Sequence, residues 1–181
     1  ASSFLSRCAG EQPVVVLQGR CYEGESVPFK ALDSLVDSLS RYLHALPQDE
    51  VTGLLPKDLA ALARTFPVLR RVRAIDKAFM DAGEGGRADL DLRRRAFTAL
   101  QGLLGQLARA SPLIVYIDDL QWGDVDSLPL LVQLVRSTEF VGLVLGTYRI
   151  EQVQTSAFLC ELIPAIDSAE GAPARGPASP G

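Results

Sequence analysis

The chain has 181 residues, 48% of them hydrophobic and 22% charged, and its formal net charge is −4. These values predict one globular domain with a hydrophobic core and exclude a disordered or collagen-like chain. The acidic excess disfavours nucleic acid as a partner, because phosphate backbones bind basic surfaces. No apolar run approaches the roughly 20 residues of a membrane span, and no signal peptide is recognisable. We therefore expect a cytoplasmic protein that contacts no membrane.

Short apolar strands alternate with amphipathic helices along the chain. The first predicted elements are a helix end at 1–9, a strand at 13–17 that ends by Gly19, and helices at 29–46, 57–66, 68–81 and 92–110. They are followed by a strand at 112–119, a helix at 125–135 and a strand at 140–145. The last predicted helix is capped by Thr155 or Ser156 and runs to about residue 163. Continuous apolar strands are typical of parallel sheets between helices. The pattern predicts a three-layer α/β/α domain over residues 1–166, with a mainly parallel sheet of about three visible strands and helical insertions. Residues 167–181, rich in Ser, Ala, Gly and Pro, are predicted to be a disordered tail.

The cysteine and histidine residues give little indication of function. Three widely spaced cysteines and a single histidine, His44, argue against a disulfide scaffold and against a zinc site. His44 lies within a helical pattern, so we expect it at the surface rather than beside a nucleophile.

The second predicted strand ends in two adjacent carboxylates, Asp118 and Asp119. Ligands of open α/β sheets bind beyond the carboxyl ends of the strands, and neighbouring carboxylates need hydrogen bonds or a cation. Mg²⁺ prefers oxygen ligands, so the pattern is a candidate Walker B motif. In that interpretation Asp118 holds hydrated Mg²⁺, and Asp119 orients or deprotonates an attacking water. The alternative is that the pair only ends the strand and caps the next helix.

The third predicted strand runs into Thr147 and Arg149. If this strand neighbours the second one, both residues lie beside the carboxylates. Thr147 is then placed to hydrogen-bond the attacking water, and Arg149 to pair with a γ-phosphate. The alternative for Arg149 is a solvated arginine in a loop. Asp124 or Asp126 is predicted to be the N-cap of the helix that follows the carboxylates.

Residues 14–46, 66–75 and 113–149 resemble the ATPase module of bacterial multidomain signalling proteins, the STAND-type, Orc1-like AAA ATPase domains, which are often fused to a serine/threonine protein kinase. The segment IDDLQWGDVDSLPLL, residues 117–131, carries the most specific similarity. The resemblance implies a P-loop NTPase fold, with ATP and Mg²⁺ as cofactors and ATP hydrolysis used as a conformational switch. By position, Asp118 resembles the Mg²⁺-coordinating residue, Asp119 the catalytic acid and Arg149 the sensor-1 arginine.

One part of the family pattern is missing. The phosphate loop GxxxxGK[S/T] needs a Gly-Lys pair, whereas the three lysines of this chain follow Phe29, Pro56 and Asp76. Without that loop there is no cradle of backbone N–H groups and no lysine for the phosphates. We therefore expect a partial domain that lacks the first strand, the phosphate loop and the lid. Such a fragment is expected to be inactive alone and to act as an ATPase only in a longer parent.

The expected partners are ATP in the parent, other domains of the parent chain and further copies of the chain. Two other classes of function stay open. The first is a non-catalytic scaffold or protein-interaction module that keeps the fold without the nucleotide chemistry. The second is a Mg²⁺-dependent phosphatase built on the aspartate pair, which would need further acidic or histidine ligands.

Overall fold

The computed structural model describes residues 14–24, 29–82, 89–138 and 140–168. The strands of this part are β1 (Val15–Arg20), β2 (Leu113–Asp118) and β3 (Leu143–Gly146). The helices are α1 (Lys30–Ala45), α2 (Gln48–Leu54), α3 (Leu59–Thr65), α4 (Arg73–Asp81), α5 (Asp89–Ala110), α6 (Leu128–Arg136) and α7 (Ala157–Asp167). Short 3₁₀ turns lie at Pro67–Arg71, Leu120–Trp122, Val125–Ser127 and Ile150–Gln152.

The three strands form a parallel sheet in the order β1-β2-β3. Helices connect consecutive strands, because parallel pairing requires a long crossover. The register places Arg20 opposite Asp118, and Ile117 opposite Gly146. The predicted α/β fold with a parallel sheet is thus confirmed, and the carboxyl ends of all three strands meet at one edge.

The two faces of the sheet belong to two separate apolar clusters. Alternate residues of a strand point to opposite faces. Leu17, Val115 and Ile117 join the side chains of the helices in the main core. On the opposite face Ile114 and Tyr116 are buried, and the described side chains packed against them are Val14, Val16 and Leu145. The helix predicted at 1–9 lies outside the described residues, as does most of the predicted tail.

The prediction that β1 ends by Gly19 is wrong. The strand continues through Gly19 to Arg20. A Cβ atom at Gly19 would lie 3.1 Å from the backbone nitrogen of Leu35 in α1. Glycine at this position therefore allows the helix to approach the strand rather than ending the strand. This extension of β1 places Arg20 at the same edge of the sheet as Asp118.

Other element bounds differ from the predictions at turns and proline residues. No helix is predicted at Gln48–Leu54, but α2 forms there with Pro47 as its N-cap. The single helix predicted at 68–81 is a 3₁₀ turn followed by α4. The last helix, α7, runs to Asp167 and contains Pro164. His44 is exposed, as expected, and contacts the backbone carbonyl of Arg71. None of the helices in the described ranges has the length and apolar character that crossing a membrane requires.

Candidate functional site

Backbone hydrogen bonds join the ends of the three strands. The N–H of Thr147 donates to the carbonyl of Ile117 at 3.0 Å, and the N–H of Leu120 donates to the carbonyl of Thr147 at 2.8 Å. On the other side of β2, the N–H of Cys21 donates to the carbonyl of Asp118 at 3.0 Å. The segments that leave β1, β2 and β3 are therefore fixed relative to one another at the carboxyl edge of the sheet.

Asp118 is the last residue of β2, and its carboxylate accepts a hydrogen bond from the hydroxyl of Thr147. Burial by itself raises the pKa of Asp118. The hydrogen bonds from Thr147 and Tyr116 and the charge of Arg20 outweigh burial, so the pKa of Asp118 lies below its ordinary value of 3.8. Burial and the hydrogen bond to Asp118 raise the pKa of Tyr116. At neutral pH Asp118 is therefore an anion with oriented hydroxyl partners.

Asp119 follows the strand in the left-handed backbone region, with φ 56° and ψ 43°. Aspartate is one of the few residues besides glycine that tolerates this conformation. Its backbone N–H donates to the Thr147 hydroxyl oxygen at 3.3 Å. Thr147 thus contacts both aspartates, and the sharp turn points the chain away from the sheet immediately after the second carboxylate.

Both carboxylate oxygens of Asp119 have a hydrogen-bonding partner. Arg20 approaches Oδ2 with Nη2 at 2.7 Å and with Nε at 3.0 Å. The amide Nε2 of Gln121 donates to Oδ1 at 3.0 Å. The hydrogen bond and the charge of Asp119 raise the pKa of Arg20 further above its ordinary value. The side chain of Asp119 remains 20% exposed, so water reaches the carboxylate.

Gln121 connects Asp119 to the chain that follows β3. Its side-chain Oε1 accepts a hydrogen bond from the backbone N–H of Arg149 at 3.2 Å. Its backbone carbonyl accepts a hydrogen bond from the hydroxyl of Ser156 at 2.9 Å. Ser156 is the N-cap of α7, where its hydroxyl oxygen accepts from the N–H of Leu159. The turn after β2 is therefore bonded both to the loop after β3 and to the last helix.

Asp124 joins this turn to the start of α1. Its carboxylate accepts hydrogen bonds from the backbone N–H groups of Phe29 and Ala31, both at 3.0 Å. It also accepts from the N–H of Ser127 at 3.0 Å and from the Ser127 hydroxyl at 2.6 Å. The predicted N-cap at Asp124 or Asp126 is confirmed in part: Asp124 caps the 3₁₀ turn Val125–Ser127, whereas the N-cap of the helix α6 is Ser127. The bonds to Phe29 and Ala31 are an additional role that local sequence does not indicate.

The structure brings together most of the residues that the sequence singles out. Asp118, Asp119 and Thr147 are in direct contact. Arg149 lies in the same loop, but its described contact is through the backbone N–H, and its side chain is exposed. Arg20 and Gln121 are not among the residues predicted from the sequence. Gln121 lies two residues after Asp119, whereas Arg20 lies beyond Gly19, where the sequence predicts that β1 ends.

The donor atoms at this edge fit Mg²⁺. The ion takes oxygen ligands and is commonly held by one or two carboxylates while it keeps several waters. Asp118 and Asp119 supply carboxylate oxygens, and Thr147 supplies a hydroxyl. The described residues contain no group of three or more His, Cys, Asp or Glu side chains that could hold a metal ion. The additional ligands that a phosphatase would need are thus not found in the described part of the chain.

The three-stranded parallel sheet flanked by helices is consistent with a P-loop NTPase-like α/β fold. A family model described as "AAA ATPase domain" matches residues 1–145. The chain belongs to the AAA ATPase domain family, and the match covers Asp118 and Asp119 but ends before Thr147 and Arg149. No curated protein and no solved structure matches the chain.

Proposed function

We propose that the carboxyl edge of the sheet is the cation-holding and water-activating part of an ATP-hydrolysing site. Asp118 holds hydrated Mg²⁺, Asp119 orients or deprotonates the attacking water, and Arg149 reaches the γ-phosphate. The observation that carries the proposal is the contact of the Thr147 hydroxyl with both Asp118 and Asp119. The end of β3 is thereby bonded to the Asp118 carboxylate and to the backbone N–H of Asp119, two contacts that a mere strand ending does not require.

When bound, Mg²⁺ would supply positive charge that neutralises the phosphate oxygens as the bond to the leaving group breaks. The residues of this chain contribute position. Thr147 and Tyr116 orient the Asp118 carboxylate, whose lowered pKa keeps it anionic and able to bind a cation. Asp119 is turned away from the strand by its left-handed backbone and stays partly exposed to water. Arg149 has an exposed side chain in the loop after β3.

We further propose that the 181-residue chain does not hydrolyse ATP above the background rate. Its sequence has no Gly-Lys pair and therefore no phosphate loop of the usual kind. In this proposal, residues 1–166 form part of an ATPase domain that works as a regulatory switch in a larger bacterial signalling protein. The resemblance to STAND-type ATPases, rather than any contact in the described residues, is what supports the switch role.

A non-catalytic scaffold is the second candidate, and one observation favours it. The ion pair with Arg20 occupies the carboxylate oxygen Oδ2 of Asp119. While the arginine stays in place, this oxygen is bonded to Arg20 rather than to an attacking water. In a scaffold the ion pair would be permanent and would serve only to join β1 to β2.

The test is Mg²⁺-dependent ATP hydrolysis, measured with the 181-residue chain and with the longest natural protein that contains it. In the longer protein we expect Asp119→Asn to reduce kcat by at least about a hundredfold, as loss of an acid–base group does, and to leave ATP binding intact. Asp126→Asn is the matched control, because Asp126 is an exposed acid in the same segment. Equal activity of the two variants would refute the catalytic role and favour the scaffold. Mg²⁺-dependent turnover by the 181-residue chain, abolished by Asp119→Asn, would refute its proposed inactivity.

A further inference from the structure

Gln121 is a buried polar residue, and its side-chain hydrogen bonds reach outside the 3₁₀ turn Leu120–Trp122 that contains it. Its exposed fraction is 4%. The amide donates through Nε2 to Asp119 at 3.0 Å and accepts through Oε1 from the N–H of Arg149 at 3.2 Å. A primary amide offers donors at one end and an acceptor at the other. This orientation of the side chain is the one that matches both partners, because rotating the amide by half a turn would face oxygen with carboxylate and NH₂ with N–H.

We propose that Gln121 is a positioning residue that couples the orientation of the Asp119 carboxylate to the location of the loop after β3. If the Arg149 backbone moves away, Oε1 of Gln121 loses its hydrogen-bond donor. The amide that holds the Asp119 carboxylate is then free to move. Conversely, the Gln121 side chain transmits a change at the Asp119 carboxylate to the Arg149 backbone. The significance of this coupling for catalysis rests on the proposed function, whereas the coupling itself does not.

The same residue ties the coupling to the last helix. The backbone carbonyl of Gln121 accepts a hydrogen bond from the hydroxyl of Ser156, and Ser156 caps α7. The backbone of Gln121 is therefore held from one side while its side chain bridges two functional residues. A fixed backbone and a buried amide leave the side chain few alternative conformations, which is what a positioning residue requires.

Amide hydrogen exchange on the 181-residue chain tests the coupling without nucleotide. In Gln121→Met the side chain keeps its length but loses both hydrogen bonds, and we expect exchange at the Arg149 N–H to accelerate about five- to tenfold. In Asp119→Ala, which does not touch Arg149, we expect acceleration at the same amide of at least about threefold, because the bridging amide loses its anchor. Asp126→Ala is the control and is expected to leave Arg149 exchange unchanged.

Global destabilisation is separated from local release by an internal reference. Leu104 in α5 is 1% exposed, and its amide reports opening of the core. The expected acceleration at Arg149 is measured relative to Leu104 in the same sample, so a variant that is merely less stable accelerates both. Unchanged relative exchange at Arg149 in Asp119→Ala would overturn the proposal, since a glutamine that only fills space transmits nothing.

The catalytic consequence is tested in the longest natural protein that contains the chain. We expect Gln121→Met to lower kcat for ATP about tenfold and to leave KM within about twofold, because the residue orients a group rather than binding substrate. An unchanged kcat would overturn the positioning role. A wild-type protein without turnover would instead refute the proposed ATPase function, and the exchange experiment would still decide whether the coupling exists.

Discussion

Arg20 and Asp119 form an ion pair that joins the end of β1 to the turn after β2. Two nitrogens of the guanidinium approach the same oxygen, Asp119 Oδ2, at 2.7 and 3.0 Å. In the described structure the carboxylate proposed to activate water is therefore neutralised by a residue 99 positions earlier in the chain. Under the proposed function, Arg20 would have to release or share this oxygen.

Arg20→Met is expected to lower the free energy of unfolding slightly, with a difference that shrinks as salt is added. The Arg20 side chain is 55% exposed, and exposed ion pairs are weak and are screened by salt. Urea denaturation at low salt and at about 1 M NaCl measures the difference. Arg20→Lys keeps the charge and should keep the salt dependence. A loss in Arg20→Met that is equal at both salt concentrations would show that packing, not charge, is what Arg20 contributes.

Thr147→Val is expected to lower the free energy of unfolding by about 1 kcal/mol at neutral pH, the size of one partly exposed hydrogen bond to a charged group. The folded pKa of Asp118 lies below its ordinary value of 3.8. A carboxylate with a lowered pKa stabilises the folded state above its unfolded pKa, and this contribution is lost as the pH falls through the folded pKa. The difference between wild type and variant should therefore shrink below the ordinary pKa of 3.8.

Urea denaturation of wild type and variant at neutral pH and at a pH below 3.8 measures this effect. Thr98→Val is the matched control, because the Thr98 hydroxyl donates to the backbone carbonyl of Arg94 in α5. Its effect should not depend on pH in this range. A pH-independent loss in Thr147→Val would mean that its hydroxyl does not stabilise the Asp118 anion.

Asp124→Ala is expected to cost about 2–3 kcal/mol of stability, because it removes an N-cap and leaves several backbone N–H groups unpaired. Those groups belong to Phe29, Ala31 and Ser127. Phe29 has a positive φ of 62°, so this backbone needs external support. Thermal and urea unfolding measure the loss. Asp126→Ala, whose pairing with Arg93 spans 3.4 Å, should change stability by less than about 0.5 kcal/mol, and equal losses would contradict the capping role.

Gly123→Ala is expected to destabilise the fold by about 1–3 kcal/mol through overpacking. A Cβ atom at Gly123 would lie 2.6 Å from Cδ1 of Phe158, and this ring is only 1% exposed. Gly53→Ala is the control and is expected to have the opposite effect on stability. Gly53 lies in α2, and no atom would lie within 4 Å of a Cβ atom there. It should stabilise the protein by about 0.5–1 kcal/mol. Chemical denaturation of both variants is the measurement, and a neutral Gly123→Ala would mean that the ring can move.

The parts of the fold that depend on local sequence pattern could be predicted. Continuous apolar strands predict a parallel sheet, and the paired acids predict a site at the end of β2; the contact of Thr147 with Asp118 fits that prediction. The catalytic and metal roles of Asp118, Asp119, Thr147 and Arg149 remain predictions. The extent of β1 was mispredicted, because a glycine within a strand looks like a strand end until the closeness of α1 is known.

Local sequence patterns do not predict contacts between distant segments of the chain. Arg20 meets Asp119 only because the register of two parallel strands aligns their ends. Asp124 bonds to backbone groups about ninety residues earlier, and nothing in the sequence near Phe29 indicates that partner. Gln121 lies two residues after Asp119 and could have been noted, but its proposed role depends on the Arg149 backbone, which a side-chain motif does not describe.

The turn Leu120–Trp122 contains the sole tryptophan of the chain, adjacent to Gln121. Trp122 is half-buried and packs against the main core. Its fluorescence emission therefore arises from one place in the protein, next to the carboxylates, with no second indole to obscure it. Rearrangement of this turn can thus be followed in real time by rapid mixing, without attaching a dye and without altering a single residue.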